Sequence, residues 1–319
     1  MQVFRDKVAV ITGAASGIGR ALAERAAREK MKVVLADIDE TTLHQTESEM
    51  RAGGADVLAV VTDVSRAEDM EALAHKTLEA FGAAHLLCNN AGVYTLKRVW
   101  ESPVADWEWA LGVNLWGIIH SIRVFVPIML DQDTDCHIVN TASAAGLMTG
   151  SVAGTYSVAK HAAVCLTETL YYQLAEADAK IKASLFCPGP VRTRILKSGR
   201  RRDGDQDRPD PASPEKIQKL EKTREWIRKR KLVMTPTTAA DIVFNGIKND
   251  RFYILTHTVF KPVIQWRMEN ILLERNPVNR ERLRSRLLWM ILRNLLPLPR
   301  IGFLCAKGAR AGVKRQLTS

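Results

Sequence analysis

Tyr156 and Lys160 stand four residues apart in TYSVAKHAAVCLTETL, a run that reads as a helix, so both side chains project from one face. Ser143 lies thirteen residues before Tyr156, just past the short apolar run HIVN. Free tyrosine ionises near pH 10. Lowering that by about three units takes roughly 4 kcal/mol, which a neighbouring ammonium and a second positive charge at close range can supply. Tyr156 would then act as a base near neutral pH. Taken alone, a Tyr-x-x-x-Lys pair is usually an ordinary surface pair, and its meaning depends on the rest of the chain.

A second motif changes that meaning. Thr12-Gly13-Ala14-Ala15-Ser16-Gly17-Ile18-Gly19 follows the apolar run VAVIT and opens a helical stretch from Arg20 to Lys30. Glycines there permit a tight turn and close backbone approach to a pyrophosphate, which then sits on a helix N-terminus where free amides and the dipole favour negative charge. Eighteen residues after Gly19, Asp37 ends the second apolar run, where a carboxylate can accept hydrogen bonds from the adenosine ribose hydroxyls and would repel a 2′-phosphate. Its neighbours Ala36 and Ile38 offer no cation. The expected cofactor is NAD, with NADP as the lesser alternative that Arg20 keeps open.

Both motifs need a scaffold, and the chain supplies one. Short runs rich in β-branched residues alternate with helical patterns: VAVIT (8–12), VVLA (33–36), VLAVV (57–61), HLLC (85–88), HIVN (137–140), IKASLF (181–186) and FYIL (252–255). This rhythm predicts βαβ units and an α/β fold, a doubly wound parallel sheet of seven strands (a Rossmann fold) with its ligand crevice at the carboxyl ends of the strands. After the sixth run, SGRRRDGDQDRPDPASPEK (198–216) is polar and rich in Gly and Pro, which marks 191–235 as an insertion. A helix is expected at about 215–231, another started by Thr237 or Thr238 before AADIVFNGI, and a helical extension in RERLRSRLLWMILRNLLPLP. The expected organisation is a dehydrogenase-type domain over 1–280 and a basic C-terminal extension over 281–319.

Composition excludes several other classes. The chain has 319 residues, 46% hydrophobic and 25% charged, as ordinary globular domains do. No run approaches the roughly 20 uninterrupted apolar residues of a membrane span, and the opening MQVFRDKVAVITG puts a strand where a signal peptide would carry its apolar segment, so the expected location is cytoplasmic. Five cysteines, widely spaced and never in a C-x-x-C pair, suggest neither a disulfide framework nor a metal site. Residues 197–231 carry 13 basic and 7 acidic side chains, and 281–319 carry 9 and 1, so two peripheral segments more than account for the net +11. Basic segments without interleaved aromatics argue against nucleic acid. In LLWMILRNLLPL (287–298) arginines flank an apolar stripe; packing on the body or on another subunit is one reading, and peripheral contact of 281–298 with an anionic membrane is the other.

Together these residues resemble the short-chain dehydrogenase/reductase family. The resemblance spans about 1–195 and rests on the TGAASGIG loop, Asp63-Val64, Asn89-Asn90-Ala91-Gly92, Asn114, Ser143, the Y-S-V-A-K run at 156–160 and Pro188-Gly189-Pro190-Val191-Arg192-Thr193, in order and at the family's spacing. It implies that Asp63 and Val64 contact the adenine, Asn90 the adenosine side of the cofactor, and Lys160 both nicotinamide ribose hydroxyls. Val191 and Thr193 would meet the carboxamide, with Ala91, Gly92, Pro188 and Gly189 among the cofactor-binding positions. Ser143 would hold the substrate oxygen, and Asn114 a water in a proton relay with Lys160. The run from about 250 to 280 also looks like the C-terminal end of longer family members.

The implied activity is interconversion of a secondary alcohol and a ketone by direct hydride transfer, without a metal. In the oxidative direction Tyr156 would remove the hydroxyl proton while Lys160 and the oxidised nicotinamide lower its pKa. An NADPH-dependent ketone reductase, a same-fold epimerase or dehydratase, and a cofactor-sensing protein without turnover are the alternatives. Trp100, Trp107, Trp109, Met148, Gly150 and the insertion would overhang the crevice and suit a large apolar or aromatic substrate, unless they serve core and subunit packing. Family members are commonly dimers or tetramers, and helices around 103–130 and 155–177 are the expected interface.

Overall fold

A computed structural model describes residues 1–150, 153–195 and 233–277. All seven expected runs form strands: β1 (Val8–Thr12), β2 (Lys32–Asp37), β3 (Val57–Val61), β4 (Leu86–Asn89), β5 (Cys136–Thr141), β6 (Ile181–Cys187) and β7 (Tyr253–Leu255). They pair in parallel in the order β3-β2-β1-β4-β5-β6-β7. The order reverses between β1 and β4, and such a switch point opens a crevice beyond the carboxyl ends of the strands.

Strand side chains alternate between two apolar layers. Ala9 and Ile11 of β1 join one core cluster, which also takes Leu22 of α1 (Gly17–Arg28) and Leu43 of α2 (Glu40–Ala52). Val8 and Val10 join the other, with Met70 of α3 (Ala67–Phe81) on that side. Parallel strands covered on both faces need near-continuous apolar sequence, which is why β1 reads VAVIT and is wholly buried.

One long helical stretch crosses the second face. It comprises α4 (Val104–Leu111), a π turn at Gly112–Trp116 and α5 (Gly117–Asp131). By length and composition this stretch would pass for a membrane span. Its Phe125 and Met129 instead pack in the core, and Asn114, His120 and Arg123 interrupt it. Next come α6 (Gly154–Glu176), which faces the same layer through Leu170 and Leu174, and α7 (Pro236–Lys248), which returns to the first layer through Val243 and Phe244. Helix α7 corrects one expectation: its cap is Thr235, whose Oγ1 accepts from Thr238 N at 3.1 Å, and not Thr237 or Thr238. Pro236, at the first helical position, already has the helical φ and no amide to satisfy, so the helix starts earlier than the apolar pattern does.

The last described helix is α8 (Lys261–Leu272). By internal packing the chain divides into Met1–Arg267 and Met268–Ser319. Most of the 191–235 insertion, the helix expected at 215–231, and the 281–319 extension with its membrane alternative lie outside the described residues. Cys88, Cys136 and Cys187 are buried and Cys165 is exposed.

One buried and one part-buried histidine are expected to make the fold acid-sensitive. His137 on β5 is fully buried, its Nε2 is 2.8 Å from Ser184 Oγ, and burial pushes its pKa down to about 3. His85, whose Nδ1 accepts from Val8 N at 3.1 Å, is pushed down to about 4 by burial, with Lys7 adding to the fall. Both stay neutral in the fold while the unfolded chain takes up their protons near 6.5, so the unfolded state binds more protons below that value. Stability should therefore fall as pH drops from about 6.5 toward 4. Urea unfolding at several pH values tests this: His137→Asn should flatten the acid slope, whatever it does to stability at pH 8, and an unchanged slope would rule His137 out as a cause.

Candidate active site

The first β-to-α turn is shaped by steric exclusion. Gly13 has φ +68°, and a Cβ there would lie 2.9 Å from Ala91 Cα, so both the backbone conformation and the facing loop refuse a side chain. Thr12 Oγ1 accepts from Asn90 N at 2.9 Å and from Ala91 N at 3.1 Å, and Asn90 Nδ2 donates to Thr12 O at 3.1 Å. The ends of β1 and β4 are thereby tied together. Asp37 braces the turn from the other side, with Oδ2 accepting from Ala15 N and Oδ1 from Asp39 N, each at 3.0 Å. Burial pushes its carboxyl pKa up, and these amides pull it back.

Ser16 precedes α1 without a side-chain capping bond, so the first amides of the helix lack a capping oxygen beside a crevice of about 480 Å³ lined by Gly13, Gly17 and Ile18. Uncapped amides at a helix start, with no side-chain bulk at Gly13 and Gly17, fit a pyrophosphate.

The other end of the crevice is formed by β5 and α6. Tyr156 and Lys160 are 8% and 2% exposed. Lys160 Nζ donates to Thr141 O at 2.8 Å and lies 5.8 Å from the centre of the Tyr156 ring. The Tyr156 hydroxyl hydrogen-bonds to the Ser143 side chain, whose Oγ also accepts from Ala145 N at 3.1 Å. Gly146 lets α6 settle onto this turn, since a Cβ there would lie 2.5 Å from Lys160 O.

The protein's own groups pull this pair in opposite directions. Burial pushes the Tyr156 hydroxyl up to about 12; the Ser143 hydrogen bond pulls it down, and Tyr94 and Cys187 push it further up. Lys160 is pushed down to about 8 by burial, against Cys187. The protein's own residues therefore keep Tyr156 protonated at neutral pH. The expected lowering counted an ammonium and the oxidised nicotinamide together; opposed to both is the desolvation of a phenolate, which outweighs the protein's own groups here.

The profile of the short chain dehydrogenase family matches residues 7–204, more than half of the chain and every motif from the glycine turn to Thr193. The chain belongs to the short-chain dehydrogenase family. It is 45% identical to a short-chain dehydrogenase/reductase from Burkholderia phymatum solved in complex with NAD, with a TM-score of 0.81 over 88% of this chain and 99% of that one. It is 36% identical to the CLA biosynthesis dehydrogenase/reductase of Lactiplantibacillus plantarum over 87% of this chain and 97% of the relative. A 1-deoxy-11-beta-hydroxypentalenate dehydrogenase of Streptomyces exfoliatus is 36% identical over 61% of this chain and 70% of its own. The enzyme is an oxidoreductase acting on CH–OH groups.

Most residues singled out in the sequence of this dehydrogenase line the one crevice: Gly13, Ser16, Gly17, Ile18, Asp37, Asp63, Val64, Asn90, Ala91, Gly92, Tyr156, Lys160, Pro188 and Thr193. Asp63 is held by its own turn, with Oδ1 accepting from Ser65 N at 2.9 Å and from Ser65 Oγ at 2.7 Å. Five others are not among the lining residues. Gly19 packs under the Gly13 turn, Ser143 is part-buried and hydrogen-bonded to the Tyr156 hydroxyl, and Gly189 is pressed against His257. Val191 bridges in parallel to Met234 and packs on the core. Asn114 is fully buried in the π turn, where Nδ2 donates to Val93 O at 3.0 Å and Ala110 O at 2.9 Å, and Oδ1 accepts from Val93 N at 3.2 Å. Of the tryptophans, Trp109 lines the crevice and Trp100 is 78% exposed beside Arg98.

What the sequence did not reveal is the loop after Gly92. Asn114 clamps Val93, and the Tyr94 ring meets the Tyr156 ring edge-on with centroids 4.8 Å apart. The hydroxyls of Thr95 and Thr155 pair. Lys97 O accepts from Gly154 N at 3.2 Å, and Lys97 Nζ reaches Asp106 on α4 at 2.8 Å. Helix α6 begins at Gly154 after Ala153 at φ +63° with no side-chain cap of its own, so this loop supplies the missing partners at the end that carries Tyr156. No motif announces it, because the partners are 9 to 60 residues apart.

Thr95→Val should leave the fully buried Thr155 hydroxyl without the partner it has here, at a cost of about 1–3 kcal/mol in urea unfolding. Turnover should fall several-fold through misplacement of Tyr156, with cofactor affinity unchanged, and Thr95→Ser should restore both. A valine variant as stable as wild type would show that the pair contributes nothing.

Proposed function

We propose that this enzyme is an NAD-preferring dehydrogenase that interconverts a secondary alcohol and a ketone on a fairly large apolar or aromatic substrate. The observation that carries this reading is the placing of buried Tyr156 and Lys160, with Ser143 hydrogen-bonded to the tyrosine hydroxyl, on the same crevice as an uncapped helix start and Asp37. A bound dinucleotide supplies the carbon that accepts or gives the hydride and, when oxidised, a positive charge.

The rest is done by side chains of this chain. Ser143 donates to the substrate oxygen and fixes it beside the Tyr156 hydroxyl. In the reductive direction Tyr156, protonated at rest, delivers its proton to that oxygen; in the oxidative direction it takes the alcohol proton. Lys160, anchored on Thr141 O, positions Tyr156 and holds the ribose hydroxyls, and Asn114 supports the water that connects Lys160 to solvent. Asp63, Val64 and Asn90 line the adenosine half, and Thr193 the carboxamide end. The apolar wall of Val93, Trp109, Val113 and Ile195 favours an apolar substrate.

The NAD preference rests on two arrangements. Asp37 lines the crevice with a carboxylate where a 2′-phosphate would come, and a like-charge pair about 4 Å apart costs roughly 4 kcal/mol at an effective dielectric of about 20, before screening. Arg20, the cation that kept NADP open, is bound at 2.9 Å by Glu24 and at 2.5 Å by Glu49.

Two measurements test the proposal. Tyr156→Phe should keep NAD binding and lose turnover by several orders of magnitude in NADH absorbance assays over a panel of secondary alcohols. A variant that kept a third of the wild-type rate on any accepted alcohol would end the proton-transfer assignment. Wild type should prefer NAD by at least tenfold in kcat/KM. Asp37→Ser should narrow that gap mainly by weakening NAD, and adding Ile38→Arg should strengthen NADP by pairing with its phosphate. Equal or better use of NADP by wild type would mean that Arg20 or a residue outside the motif serves the phosphate and that Asp37 does not select.

A further inference from the structure

Strand β5 ends at Thr141, whose hydroxyl has no part in the reading above. Thr141 is 7% exposed, and its Oγ1 is buried without a hydrogen-bond partner. Among the described residues the other buried polar side-chain atoms left so are ring nitrogens of His120, His137 and His161. Thr141 is the one that lines the crevice. Its backbone carbonyl is engaged, taking the Lys160 ammonium at 2.8 Å. Asn140, on the opposite face of the strand, spends its side chain on Asn89 and Thr167.

A hydroxyl buried without a partner is destabilising, so for folding alone valine, which has the same shape, would be the better residue here. The hydroxyl is retained at the end of the crevice that holds Tyr156 and Lys160, away from the Asp37 and Ile38 end. The half of a dinucleotide that reaches this end carries ribose hydroxyls and a carboxamide, which can both donate and accept. We infer that Thr141 Oγ1 is a hydrogen-bonding group held in reserve for the nicotinamide riboside half of the cofactor, paired only when the cofactor is bound. This rests on the dinucleotide reading above and adds a contact to it.

The hypothesis makes stability and binding move in opposite directions. In Thr141→Val the cofactor-free protein should melt at the same or a higher temperature than wild type. NADH, followed by quenching of tryptophan fluorescence with Trp109 in the crevice wall, should bind about three- to tenfold more weakly, the loss of one neutral hydrogen bond. AMP, which reaches only the adenosine half, should bind equally to both proteins. Thr141→Ser, which keeps the hydroxyl, should bind NADH within about twofold of wild type, as the retained donor requires. A valine variant that binds NADH as tightly as wild type would overturn the inference while leaving the dinucleotide reading intact. So would parallel loss of AMP, which signals a distorted crevice, or a lower melting temperature without cofactor, which signals a partner in the resting protein. Wild type that binds neither NADH nor AMP would overturn the dinucleotide reading and this inference together.

Discussion

An ammonium group in a dry site sets the terms for the architecture around it. Lys160 is 2% exposed, and removing its charge from water costs far more than one hydrogen bond returns. Burial accordingly pulls its pKa down to about 8. The group stays close to its charged range because the end of β5 offers the Thr141 carbonyl at 2.8 Å. That acceptor is useful only if α6 lies tight against the sheet at this level, which requires Gly146 under the helix. Beside the ammonium, Gly92 leaves room for the Asn114 carboxamide, since a Cβ there would lie 3.1 Å from Asn114 Oδ1.

Beneath the lysine, a chain of buried polar groups holds helices and sheet in register. Ser121 Oγ on α5 donates to Asn89 Oδ1 at 2.5 Å, and Asn89 Nδ2 donates to Asn140 Oδ1 at 2.8 Å across β4 and β5. Asn140 Nδ2 donates to Thr167 Oγ1 at 3.1 Å, which in turn donates to Ala163 O on α6 at 2.7 Å. Every one of these side chains is at most 3% exposed. Apolar packing of Phe125 or Leu170 tolerates sliding by a fraction of a turn, but a hydrogen-bond chain in a low dielectric does not, because each broken link leaves an unpaired buried group. The network therefore fixes the height of α6 relative to β5, and with it the meeting of Lys160 with Thr141 O and of Tyr156 with Ser143.

The sheet and the glycine turn were legible in the sequence because they are written locally. A strand covered on both faces must be apolar throughout, as VAVIT and HIVN are, and the turn at Gly13 excludes every residue with a side chain. The limits of local writing show at Asn114. A polar residue in a long apolar helix reads as a kink, whereas its carboxamide joins Val93 to a π turn, and π turns are local insertions with no compositional signature. The Tyr94–Lys97 brace on α6 was hidden for the same reason, being made of backbone groups and hydroxyls brought together by the fold. The protonation of Tyr156 is set by two opposed effects, and spacing shows only which charges are neighbours, not how little water lies between them.

That opposition bears on how proton and hydride travel together. Burial moves Tyr156 up and Lys160 down, so the environment favours the uncharged form of each and tolerates added negative charge poorly. A phenolate can form here only when further positive charge is near, and an oxidised nicotinamide carries such a charge while a reduced one does not. Under the proposed function, the oxidised form would bias the site toward Tyr156 as an acceptor of the alcohol proton, and the reduced form toward Tyr156 as a donor to the carbonyl oxygen. Under the proposed function, a site that left the tyrosine ionised at rest would work in one direction only, whereas one that keeps it neutral lets the redox state of the cofactor decide whether it gives or takes the proton.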